Sequence, residues 1–476
     1  MMKKTNFKYA LQVLALLFLA ACNTPKTAMR NADTALPSRY EEAGDSTDIA
    51  KISWQAYFGD PYLTALIDSA LQNNQELNIT LQEIEIGKNE VRTRKGEYLP
   101  FVGLGGAAGL EKEARYTRYG AVDAALEIKP GRAFPEPLPD YMFGLHASWE
   151  LDVWKKLRNA RKSAVARYLA TVEGQNFMVT NLISEIAGSY YELLALDNLL
   201  GIVAKNIEIQ GNALNAVVQE KASARVSQLA VNRFEAQLLN TTNLQYDIRQ
   251  QITVTENRIN FLTGRFPQPV ARNPDQLDAV NTDSVFAGIP SKLLANRPDV
   301  RQAEMELAAA KLDVQVARAN FYPSLRITAG AGFQAFNPNF LVRPESVLYS
   351  LAGDLMAPLV NRNAIKATYN SANAKQLQAV FNYERSILNA YTDVMNQLSQ
   401  IRNTRLSYDT KAREVEILTE SIGISNSLYR SARADYMEVL LTQREALDSK
   451  MELIEIKLKQ VQAKVHIYEA LGGGWQ

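Results

Sequence analysis

Proline is absent from Tyr141 to Phe266 and again from Leu359 to the end of this 476-residue chain, although 17 prolines occur in the rest of it. A proline inside a helix costs about 3 kcal/mol, so these are the stretches in which very long helices can form. One helical hairpin is predicted from about Arg158 to Leu262, turning near Ala222, and another from about Arg362 to Ala470, turning near Ala432. Arms of about 50–60 residues reach roughly 75–90 Å at about 1.5 Å per residue, well beyond the ordinary globular helix.

Apolar seams say how such arms are held. In the last arm, Leu447, Met451, Ile454, Leu458, Val461, Val465 and Tyr468 follow a coiled-coil spacing. A second seam of the same rhythm runs through Ala446, Ser449, Leu453, Ile456, Gln460, Ala463 and Ile467. The seams lie two residues apart, about 200° around the helix. A helix with seams on opposite flanks has a neighbour on each side, and helices laid side by side make a wall or a cylinder. A compact bundle needs only one broader stripe.

The chain also repeats itself. Glu97-Tyr98-Leu99-Pro100 returns as Asn320-Phe321-Tyr322-Pro323, and at that offset Gly109 meets Gly332. Arg158-Asn159-Ala160 returns as Arg362-Asn363-Ala364, Glu235-Ala236 as Glu445-Ala446, and Gly264 as Gly474. This divides the chain into a leader over 1–21, a first repeat over 22–289 and a second over 290–476. Each repeat reads as helix, two strands and a long helical hairpin.

All four strand candidates alternate. Tyr141, Phe143, Leu145, Ala147, Trp149 and Leu151 share one face, with Gly144, His146, Ser148 and Glu150 on the other. Segments 325–335 and 347–357 behave alike, and 101–110 more weakly. The repeat sets Val102 against Leu325 and Phe143 against Val347. Strands of about 10 residues, apolar outward and polar inward, suit a transmembrane barrel; a soluble sheet with one wet face gives the same pattern. The amino terminus favours the barrel. Lys3, Lys4 and Lys8 precede the apolar stretch Ala10 to Ala21, which is too short to span a bilayer. That stretch ends in Leu19-Ala20-Ala21-Cys22, similar to a bacterial lipoprotein box, and Cys22 is the only cysteine. Acyl chains on Cys22 would anchor the mature chain. Beyond it no run of 18 apolar residues occurs, so a membrane could be crossed only by strands of a closed barrel. Four strands cannot close one, since the smallest bacterial barrels have about eight. Several chains would have to share it.

Together these features resemble the TolC-type outer-membrane efflux proteins, in the lipoprotein branch that serves resistance-nodulation-division pumps. The residues are Trp54-Gln55-Ala56-Tyr57-Phe58-Gly59-Asp60-Pro61-Tyr62-Leu63, then Ala70-Leu71 and Asn73-Asn74. In the second half they are Asn296-Arg297-Pro298-Asp299-Val300-Arg301-Gln302-Ala303-Glu304 and Phe321-Tyr322-Pro323-Ser324, with Ala470-Leu471-Gly472-Gly473-Gly474-Trp475 at the end. The resemblance implies a mainly α fold with a membrane β-barrel. Four transmembrane strands and two coiled-coil hairpins per chain build a trimeric tube. It further implies a lipid-anchored outer-membrane duct with a periplasmic helical extension, and as partners two more copies, a periplasmic adaptor, an inner-membrane pump and the outer-membrane lipid. Glycines are usual at the hairpin turns, where Ala222 and Ala432 stand here.

Other classes of function find little support. Net charge is +1, which suggests no nucleic-acid partner. His146 and His466 fall in different elements, with no metal-ligand spacing. Gly103-Leu104-Gly105-Gly106 sits in a strand candidate and precedes no helix, so a nucleotide loop is not indicated. No cofactor and no enzyme are expected. The alternatives are a duct for ATP-driven protein secretion and a periplasmic coiled-coil scaffold. The hairpin turns carry Glu220, Arg225, Arg430, Arg433 and Asp435, the candidate aperture and adaptor contacts. The repeat pairs Arg225 with Asp435 and Glu220 with Arg430, which suggests a charge latch between alternating tips.

Overall fold

The computed structural model describes residues 30–40, 49–280 and 288–475. The predicted leader and Cys22 lie outside the described residues. The chain divides into two compact units. One takes Glu85–Leu169 and Met305–Val380 with Arg30 and Asn31; the other takes Ala32–Ile84, Ala170–Glu304 and Phe381–Gln476. Neither coincides with a sequence half, because each draws on both.

Seven helices and four strands matter below. They are α1 (Pro61–Asn73), α2 (Gln75–Tyr98), β1 (Phe101–Glu111), β2 (Leu138–Leu151), α3 (Lys156–Ala222), α4 (Gln228–Leu262), α5 (Pro298–Ala319), β3 (Ser324–Ala335), β4 (Val347–Met356), α6 (Asn363–Arg430) and α7 (Tyr436–Ala470). Among the described residues no helix is long and apolar enough to cross a membrane.

The unit containing the strands is organised by an antiparallel sheet in the order β1-β2-β3-β4. Beside it, Asp152 starts α3: its carboxylate accepts from the backbone N–H of Leu157 (3.0 Å) and Arg158 (2.9 Å). The first turns of α3 then pack on α5, where Ser163 Oγ donates to Asp313 Oδ1 at 2.6 Å. Phe321 meets Tyr369 edge-on at 5.8 Å.

In the other unit, α1 begins with proline at its first position and Asp60 as cap, accepting from Tyr62 N–H at 2.8 Å. The second oxygen of Asp60 accepts from the Tyr190 hydroxyl at 2.9 Å, so one buried carboxylate fixes α1 and α3 together. Leu63, Ile67, Ile183, Ile186, Leu194 and Ile259 form the fully buried centre. Both predicted seams of α7 are covered. Val461, Val465 and Tyr468 enter this core, while Ser449 Oγ donates to Glu414 at 2.6 Å and Gln460 Nε2 to the Thr404 carbonyl at 3.2 Å. Thus α7 lies between α3 and α4 on one flank and α6 on the other.

The arms differ from the expected equal lengths. The outgoing helices α3 and α6 have 67 and 68 residues, and the returning helices α4 and α7 have 35 each. The reason is that the first turns of α3 pair with α5 and not with α4.

The alignment of the two halves also needs correction. A constant 208 residues separate Gln228 from Tyr436, Leu262 from Ala470 and Gly264 from Gly472. The sheet registers carry the same offset from β2 to β4: β1 starts with Phe101 opposite Ser148, and β3 starts with Ser324 opposite Met356. Phe143 therefore corresponds to Leu351 and not to Val347, Gly264 to Gly472 and not to Gly474, and Glu235 to Gln443 and not to Glu445. Short motif echoes had drawn the alignment off, whereas helix ends and strand registers set it directly. The correspondence of Val102 with Leu325 agrees with the strand starts.

Candidate channel wall and hairpin tips

The sheet has two unlike faces. Register puts Gly103, His146, Gly330 and Ser350 side by side, with Glu150, Arg326 and Asp354 in another row on the same face. Glu150 accepts from Lys156 Nζ at 2.5 Å and lies 4.0 Å from Arg326. The opposite face carries Val102, Leu104, Leu110, Phe143, Leu145, Tyr349, Leu351 and Leu355, all exposed, with Leu351 78% and Tyr349 85% open. An uncovered apolar face of this extent marks a membrane or partner surface.

Close backbone approach distinguishes the two faces. Gly144 and Gly332 are register partners. A Cβ on Gly144 would come 2.7 Å from Gly332 Cα, and one on Gly332 would come 2.7 Å from Gly144 Cα. β2 and β3 close on each other on this side, so the glycine and polar face is concave. Only glycine fits where backbones approach so nearly. On the convex face Phe143 stacks on Phe333 at 5.3 Å. Among the described residues, both outer edges, β1 and β4, lack a partner strand.

At the tips each outgoing helix ends in a Schellman motif. Arg225 N–H reaches the Glu220 carbonyl at 2.9 Å, and Arg433 N–H reaches that of Leu428 at 2.9 Å. The left-handed residues are Ala224 and Ala432, both with φ 55°. The position where glycine is usual is therefore Ala224 in the first hairpin, not Ala222. Consequently Arg225 corresponds to Arg433 and Ser227 to Asp435, and the premise that Arg225 matches Asp435 fails. Only Arg225 and Arg433 match, with like charge; Glu220 corresponds to Leu428 and Arg430 to Ala222, so the pairing of Glu220 with Arg430 fails as well. Arg225, Arg430, Arg433 and Asp435 are exposed. Asp435 caps α7 without a side-chain hydrogen bond, although its charge suits the helix N-terminus.

What joins the two hairpins is a contact the sequence did not suggest. The Tyr429 hydroxyl donates to the Glu220 carboxylate. Burial, and then this carboxylate, push the phenol up to about 12, so it stays a donor throughout the physiological range. Behind it Val217, Ala230, Val231 and Phe234 pack with Tyr436 and Leu440. No signal marks Tyr429, because its counterpart in the first hairpin is Lys221.

A second missed element is a pair of locks at corresponding places. Asn74 Nδ2 donates to the Leu262 carbonyl at 2.9 Å, and Arg297 Nη1 donates to that of Ala470 at 3.1 Å. Each closes the C-terminus of a returning helix on the start of a short one. Arg297 also binds Asp299 at 2.7 Å and Asp393 at 3.2 Å. Burial opposes its charge, and the two carboxylates outweigh burial and raise its proton affinity. Among the described residues no group of histidine, cysteine and carboxylate side chains could hold a metal.

A bent sheet with an apolar convex face and a polar concave one, carried in one chain with paired coiled-coil hairpins, defines the subunit of a membrane channel. The profile of the outer membrane efflux protein family matches residues 66–265 and 289–473, and the chain belongs to that family. It is 28% identical over 468 residues to the pyoverdine export outer membrane protein OpmQ of Pseudomonas aeruginosa, covering 98% of this chain and 96% of the relative. It is also 28% identical to the solvent efflux pump outer membrane protein SrpC of Pseudomonas putida, covering 98% of both. The outer-membrane channel OprN superposes with a TM-score of 0.84 at 22% identity, covering 94% of this chain and 99% of that one. The chain is thus an outer membrane efflux protein.

Proposed function

We propose that three copies join their sheets edge to edge into one β-barrel and their hairpins into a helical tunnel, forming a passive duct for small molecules. The observation that carries this reading is the four-stranded sheet, whose two edges are unpaired among the described residues, with its exposed apolar convex face. Four strands cannot close alone, and lipid-exposed edges are not tolerated in a bilayer. The sequence halves 22–289 and 290–476 are then duplicated wall segments, alternating around the ring. A periplasmic adaptor and an inner-membrane pump of the resistance-nodulation-division class meet the tips at Glu220, Arg225, Arg430, Arg433 and Asp435. Relatives named for solvent and pyoverdine export support efflux over protein secretion. The duct performs no catalysis and needs no cofactor; energy comes from the pump.

Purified protein tests this in a planar bilayer. A threefold complex with discrete conductance is expected, and a non-conducting monomer would return the chain to the scaffold reading. In the same recordings Tyr429→Phe, which removes the bond to Glu220, is expected to raise conductance several-fold with the complex intact. Unchanged conductance would remove the Glu220–Tyr429 contact as a closure element.

Lipid on Cys22 fits the reach of the chain. The Arg30 carbonyl accepts from Gln376 Nε2 at 3.4 Å, and Gln376 lies about 20 Å along α6 from its start. The stretch from Cys22 to Arg30 spans up to about 28 Å when extended, enough to return to the strand end of that unit. Metabolic labelling with an alkyne fatty acid should mark the wild type and leave Cys22→Ser unmarked; an unlabelled wild type rules the anchor out.

A further inference from the structure

We propose that His146 sets the charge selectivity of the pore and makes it respond to pH. This rests on the reading of the concave face as the pore lining. His146 is exposed on that face, at the centre of a row whose other members are Gly103, Gly330 and Ser350. Its ring lies over Gly103, with Cε1 at 2.6 Å and Nε2 at 2.7 Å from where a Cβ would stand, and the Phe101 ring is 6.0 Å away. The imidazole occupies space that exists only because residue 103 has no side chain. Among the described residues no other charged side chain stands in this row.

The charges that face it are all remote along the strands. On β1 the same face is uncharged from Phe101 until Glu111. On β2 the nearest are Glu150 and Asp140, four and six residues away, which is about 13 and 20 Å at about 3.3 Å per residue. On β3 it is Arg326, and on β4 Asp354, both in the Glu150 row. That row is internally compensated by Lys156 and Arg326. The His146 row is therefore an electrically blank girdle. Histidine is the side chain whose charge changes between pH 5 and 8. One imidazolium per chain would turn the girdle cationic, with the nearest acid on its face about 13 Å along the strand, against a screening length of about 10 Å at 0.1 M salt.

The test is the zero-current potential of single conducting channels in a KCl gradient, at pH 7.5 and pH 5.5. The wild type should shift toward the chloride equilibrium potential on acidification, more in dilute salt than near 1 M, where screening shortens to about 3 Å. His146→Gln should conduct normally and lose the shift. A shift that persists in His146→Gln, or a wild type that does not shift, overturns the assignment. Absence of any conductance would instead sink the barrel reading on which it stands.

Discussion

Gly332→Val abolishes the channel and leaves the helical unit folded: that is the expected result of placing a side chain where β2 and β3 converge. The new Cβ would sit 2.7 Å from Gly144 Cα, and its close neighbours are backbone atoms that no side-chain rotation can move. Overpacking of side chains ordinarily costs about 1–3 kcal/mol; a backbone clash in a paired strand should exceed that and break the register. In a bilayer the broken ladder has no water to turn to. Detergent-resistant complexes and conductance should both vanish, while circular dichroism keeps its helical signal. A control at Gly353, where a Cβ meets nothing within 4 Å, should behave as wild type. Normal channels from Gly332→Val would mean that the concave face is not the inside of the wall.

Arg297→Ala should be the most damaging single change among the helices. It deletes the donor to Ala470 and leaves Asp299 with no cation at 2.7 Å in a largely buried setting. Breaking one side of such a pair costs about 3–5 kcal/mol. Thermal unfolding should fall by several degrees, and native-state proteolysis should release the Tyr436–Ala470 arm early. Arg297→Lys should recover little, since one ammonium cannot replace a fork that serves two carboxylates and a carbonyl. Asn74→Ala, at the corresponding place, removes one neutral hydrogen bond to Leu262, worth about 1 kcal/mol. Equal effects of the two changes would show that the carboxylates around Arg297 contribute nothing.

Long helices, paired seams and four alternating strands were legible because each rests on periodicity or on the placement of proline. The seam through Ser449 and Gln460 was readable although half its members are polar, since spacing and not hydropathy alone defines a neighbour. The tips were less legible. Motif echoes such as Glu235-Ala236 with Glu445-Ala446 misplaced the alignment by two residues, and that slip reversed the reading of the tip charges. Local resemblance between short strings is a weak ruler beside a helix end. Tyr429, Asn74 and Arg297 act through partners about 170 to 210 residues away, and no local pattern announces such a bond.

The constant offset behaves like a ruler with one slack joint. From β2 to the end of α4 the elements of the first half have counterparts about 208 residues later, whereas the earlier helix and strand, from Gln75 and Phe101, stand 223 residues from Pro298 and Ser324. All the difference is taken up between β1 and β2, where a short helix, Arg118–Ala125, and a small hairpin are inserted. A residue added within a strand would turn its side chains to the wrong face. Changes of length are therefore confined to that connection, which leaves it free to vary in dress while the conduit keeps its gauge.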